Sequence, residues 1–134
     1  MSHPLRFDEA DPFLARVREI CLAFPEAAEK ISHGAPAFYT QKVFAYYGGS
    51  IKGDHYAPFA RIALLFKADP LERAALLEEE RCFLPAHLGP AGWVGLSFLP
   101  ALEPEGVAWD EVAELIDTSY RLTAPTRLVR QLPD

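Results

Sequence analysis

Two cysteines in 134 residues are too few to staple a fold with disulfides. Cys21 and Cys82 also lack the paired spacing of a metal site, so a reducing compartment, the cytoplasm, is the expected location. No apolar run approaches the ~20 residues that span a bilayer; Ile62 to Phe66 is among the longest. The opening "MSHPLRFDEAD" has no apolar stretch of the kind a secretory leader needs, and no membrane partner is expected. Repeats, low-complexity tracts and linkers are missing too, which reads as a single domain over residues 1–134.

Signature motifs of catalysis are equally scarce. "GGSIKG" lacks the spacing and the following helix of a phosphate-cradling loop, and no Gly-x-Ser-x-Gly elbow occurs. His33, His55 and His87 are far apart, with no pair at helical or turn spacing to hold zinc or iron. Cys82 beside Arg81 has a neighbour that lowers a thiol pKa, but "RCFLP" reads as a buried strand, where a cysteine is inert. The residues therefore name no catalytic group, no metal ligand and no cofactor.

What is present is an ordinary globular composition, 50% hydrophobic and 24% charged. The net charge of −6 excludes avid, nonspecific binding to nucleic acid, yet the charge is unevenly spread. Residues 30–67 hold Lys30, Lys42, Lys52, Arg61 and Lys67 against one acid, Asp54, a local balance of +4. Eight of the sixteen aromatics fall in the same window. Basic and aromatic residues interleaved are a nucleic-acid signature; the plainer alternative is a β-rich core whose lysines keep edges soluble.

Asp11-Pro12 places a capping carboxylate ahead of a proline at the first helical position. Phe13, Val17, Ile20, Cys21 and Phe24 follow at helical spacing, which predicts a helix over 12–24. "PEAAEKISHGAP" is expected to be a bridge to a sheet, with strands at 37–40, 43–47 and 59–67. A second helix is expected at about 70–80, with Leu71, Ala74 and Ala75 inward. A short strand at "RCFLP" and a clearer one at 92–99 come next, then a helix at about 109–122 whose stripe is Val112, Leu115, Ile116, Ser119 and Tyr120. This order predicts an α+β fold: an antiparallel sheet with helices packed on one face. The expected core is Phe38, Phe44, Ile62, Leu64, Phe66, Trp93 and Phe98, packed against the helices.

Four segments in order, "ICLAFPEAAEKISHGAPAF" at 20–38, "KVFAYY" to "GDHY" at 42–56, "FLPAHLGPAGWVGLSF" at 83–98 and "WDEVAELIDTSYRLTAPTRL" at 109–128, resemble the MmcQ/YjbR family. The resemblance implies a CyaY-like α+β fold, the architecture of frataxins. It also implies DNA as the partner, since members are described as predicted DNA-binding proteins with a double wing of β-hairpins. Here the wings would fall at 36–67 and about 82–99. Gln41, His87 and Thr126 depart from the family, where glycine, tyrosine and lysine are common; the last two changes remove an aromatic and a charge from contact surfaces.

On the DNA reading, Lys30, Lys42, Lys52, Arg61 and Lys67 neutralise phosphates, with Tyr39 and Tyr46 as further contacts and His55 at a loop tip. The alternative is a non-enzymatic protein-interaction or small-ligand module. An iron-binding role is poorly matched, since helix 12–24 offers few acids beyond Asp11 and Glu19.

Overall fold

The computed structural model describes residues 7–54 and 56–133. Helix α1 spans Pro12–Leu22. It starts where the sequence asks it to: the Asp11 carboxylate accepts from the Phe13 amide at 2.9 Å, and Pro12 occupies the first turn. Strands β1 (Ala28–Ser32), β2 (Ala35–Tyr39) and β3 (Val43–Tyr47) follow as a meander. Next come a one-turn helix α2 (Pro58–Arg61), strand β4 (Ala63–Lys67), helix α3 (Arg73–Leu77) and strands β5 (Cys82–Phe83) and β6 (Trp93–Ser97). Helix α4 (Trp109–Thr123) and the short α5 (Thr126–Val129) end the chain.

The described strands form one six-stranded antiparallel sheet in the order β1-β2-β3-β4-β6-β5. Helices α1 and α4 pack on its inner face, as an α+β arrangement requires. Phe38, Phe44, Leu64, Phe66, Val94 and Leu96 supply the sheet's share of that core. From the helices come Leu14, Val17, Val112, Ile116 and Tyr120, all at most 1% exposed. Tyr120 anchors the arrangement: its ring packs edge-on against Phe44, and its hydroxyl donates to the Pro25 carbonyl at 2.6 Å. The α4 stripe matches expectation, with Leu115 only partly buried.

Four expectations need correction. β1 lies inside the segment read as a bridge, and it is an edge strand. His33 and Gly34 both have positive φ, 53° and 84°, and join β1 to β2 as a two-residue hairpin turn, where left-handed conformations suit the strand twist. Residues 59–61 are helical rather than strand, because Pro58 opens a turn that lays Phe59 and Ala60 against the sheet. The helix expected over 70–80 shrinks to 73–77; Leu71 is 93% exposed, and Ala74 and Ala75 are exposed too, so Leu76 and Leu77 make its core contacts instead. Asp69 explains the late start, since its carboxylate accepts from Leu71 and holds residues 69–71 in a turn.

The last correction concerns the layers. The sheet's outer face carries a second small core of Ala60, Ala63, Leu65, Phe83 and Trp93, so Trp93 faces away from α1 and α4. Segments 48–54, 56–61 and 84–92 cover the β4-β6-β5 half of that face, tied together by a 2.8 Å bond from the Ala86 amide to the Ser50 carbonyl. Close packing here depends on glycine. A Cβ on Gly95 would fall 2.2 Å from the Phe83 ring, which lies over it. The covering layer leaves the β1-β2-β3 half of the outer face as the surface to be explained.

Candidate nucleic-acid interface

Strand register decides which side chains share the open face. Lys30 pairs with Ala37, Ala37 with Tyr46, and Tyr46 with Leu65, a row that faces outward because Leu65 belongs to the outer core. The next outward row holds Ala28 opposite Tyr39, then Val43, and Lys67 opposite Trp93. Four consecutive strands thus present Lys30, Tyr39, Tyr46 and Lys67 on one surface, two aromatics between two lysines. Lys42 is exposed on the adjoining β2–β3 turn.

The Tyr46 side chain reaches toward β1. Its hydroxyl comes near Ser32, two strands away; burial pushes the phenol pKa up and the Ser32 hydroxyl opposes it. Strands are about 4.8 Å apart, so a tyrosine on β3 reaches β1 only by lying across β2. That posture accounts for Ala35 and Ala37, which share the outer face with Ser32 and Lys30 and are 9% and 0% exposed. Trp93 leans in from β6, its ring centroid 5.5 Å from that of Tyr46. The Lys30 ammonium sits 4.7 Å above the Tyr39 ring, a cation–π contact that keeps the charge on the open face.

Not all the sequence-predicted residues meet here. Lys52 is exposed at the tip of the Ile51–Asp54 turn, on the covering layer. Arg61 lies at the opposite end of the sheet, lining a shallow cleft of about 450 Å³ with Asp8, Asp11 and Tyr47. Local acids there offset its charge. His55 lies outside the described residues. Trp93 was expected in the main core, and Ser32 drew no attention; its signal was its place on an edge strand that the sequence pattern conceals.

Chemistry elsewhere is quiet. Cys82 is buried and its thiol is pushed up to about 11 by desolvation, with the Glu79 carboxylate adding to burial and Arg81 opposing it. The Arg81 guanidinium is engaged by Glu79 and Glu111, and its pull on the thiol is outweighed by burial. Cys21 is raised further, by burial first and Glu29 second. Tyr47 donates to Asp11 in a short hydrogen bond, and burial and that carboxylate hold its phenol protonated far above the usual range. Among the described residues, no group of three or more His, Cys, Asp or Glu is placed to hold a metal, and no helix is long and apolar enough to cross a membrane.

The molecule is thus an α+β protein with helices on one side of a six-stranded antiparallel sheet and a half-open basic, aromatic surface on the other. A family model described as YjbR matches residues 22–122, most of the chain, and the protein belongs to the YjbR family. A search of curated proteins found no match.

Proposed function

We propose that this YjbR-family protein binds nucleic acid weakly through the open β1-β2-β3 half of its outer sheet face and the bordering Lys67 of β4, with Lys30, Lys42 and Lys67 contacting phosphates. One observation carries the reading: Lys30 on β1 and Lys67 on β4 are separated by two strands, yet register sets them on one face with Tyr39 and Tyr46 between. The chemistry is charge neutralisation at a surface, which is weak for a chain of net charge −6 and strongly dependent on salt. The double-wing, CyaY-like resemblance supports the same assignment. Lys52 adds to the field from the covering layer, whereas Arg61, beside Asp8 and Asp11, is not needed.

The test is fluorescence anisotropy with a labelled oligonucleotide across about a decade of salt. Three phosphate contacts give a log–log slope near −2.7 on duplex, and Lys42→Ala or Lys67→Ala each removes about one unit of it. Arg61→Ala leaves the slope unchanged. Absence of binding at the lowest salt overturns the reading and favours the protein- or small-ligand-binding module.

A further inference from the structure

We infer that the ligand of this surface is single-stranded nucleic acid, with a base stacked on Tyr46; the inference rests on the nucleic-acid reading above and narrows it. The geometry is that of a platform. Register sets Tyr46 on the outer face, opposite Ala37 and Leu65, and its side chain reaches toward Ser32 over the buried Ala35 and Ala37, so the ring lies over the sheet. Trp93 meets the ring at 58°, bracing it from the β6 side rather than stacking over it. Packed against Trp93 and the outer core, the ring has little side-chain freedom left to lose on binding.

Duplex and single strand make different demands on such a surface. In a duplex, base faces are hidden in the stack, and only edges, sugars and phosphates are offered to protein. A flat ring on a sheet has no access to them. In a single strand the faces are available, and aromatic platforms flanked by basic side chains bind them with little sequence preference. Lys30 and Lys67 stand on β1 and β4, on either side of the tyrosines, where a backbone running past a stacked base meets positive charge.

Tyr39 has a different part. The Lys30 ammonium already occupies its ring at 4.7 Å, so Tyr46 is the first stacking site, and Lys30 must leave Tyr39 before a second base can stack there. A second arrangement of charge and aromatics, the cleft of Arg61, Asp8, Asp11 and Tyr47, has its tyrosine hydroxyl and both oxygens of Asp11 committed within the fold.

The experiment compares a labelled oligo-dT of about 15 nucleotides with a duplex of equal length, at the same salt. Single strand is expected to bind at least about fivefold tighter, the low end of one stacked base. Tyr46→Leu removes that preference and leaves duplex binding unchanged, while Tyr46→Phe, which keeps the ring and drops only the Ser32 bond, retains it. Because Tyr46→Leu also disturbs packing, the wild-type protein supplies a second readout: the Tyr46 ring protons shift upfield in NMR spectra on adding oligo-dT. Equal, lysine-dependent affinities for the two oligonucleotides, with unshifted Tyr46 protons, overturn the single-strand inference and leave the nucleic-acid reading standing. Failure of both oligonucleotides to bind overturns that reading and the inference with it.

Discussion

Ser119 and Phe44, 75 residues apart, are joined by a 2.6 Å hydrogen bond from the serine hydroxyl to the phenylalanine carbonyl. The Ser119 hydroxyl oxygen in turn accepts from the Lys67 amide at 2.9 Å. Phe44 is the extra residue of a β-bulge: Phe38 pairs with Ala45 and Tyr39 with Val43, so Phe44 has no partner on β2. On its other side the β3–β4 pairing runs from Tyr47 opposite Leu64 to Ala45 opposite Phe66 and then stops. The fully buried Ser119 bridges that gap from α4, locking the helix to both strands at the edge of the proposed binding surface.

Ser119→Ala leaves a carbonyl and an amide buried without partners. It is expected to destabilise the fold by about 1–3 kcal/mol, measured by urea unfolding with an unchanged m-value. Hydrogen exchange at Lys67 should accelerate more than at Leu64, since only the former amide loses its acceptor. Equal stability to the parent would show that water replaces the hydroxyl there.

Gly95→Ala drives a methyl into the Phe83 ring and is expected to cost about 1–3 kcal/mol. Phe83→Ala removes part of the outer core as well. In the double variant the clash is gone, so the two losses should sum to more than the double variant shows. Strict additivity would place the Phe83 ring elsewhere.

Alkaline pH should destabilise the protein from the thiols upward. A thiol of ordinary pKa 9.0 ionises in the unfolded chain, whereas folded Cys82 holds its proton up to about 11, so the unfolded state binds fewer protons between those values. Stability present below pH 9 is then lost as pH rises through that window, on the order of 1 kcal/mol per pH unit for each such thiol. Cys21 has the same sign, and the raised phenols of Tyr46 and Tyr47 extend the loss beyond pH 10. Urea unfolding of the parent and Cys82→Ala across this range checks it: the variant's slope should be shallower.

Arg18 holds the edge strand that carries Lys30 and Ser32. Its guanidinium grips Glu29 with bonds of 2.7 and 2.8 Å, from α1 to β1, and both side chains are less than one-third exposed. Glu29→Gln should cost about 1 kcal/mol and quicken hydrogen exchange in β1 first. It should also weaken oligonucleotide binding, though the charge on the outer face is untouched, because β1 then holds Lys30 less firmly on that face.

The sequence by itself determined the elements that carry strong local signals. Asp11-Pro12 specifies the start of α1, the 3.6-residue stripe from Val112 to Tyr120 specifies α4, and dense apolar strands specify β2, β3, β4 and β6. The concentration of lysines and aromatics in 30–67 was likewise plain to read. Tertiary structure decided the rest. β1 was hidden because an edge strand is wet on both sides, and "AEKIS" shows no alternation of burial. α2 is too short for its period to register, and Trp93 is equally apolar on either face of a sheet. Membership of the site was decided by register: one residue of slip turns a side chain to the opposite face, so only strand pairing could join Lys30, Tyr46 and Lys67 and leave Arg61 at the far end.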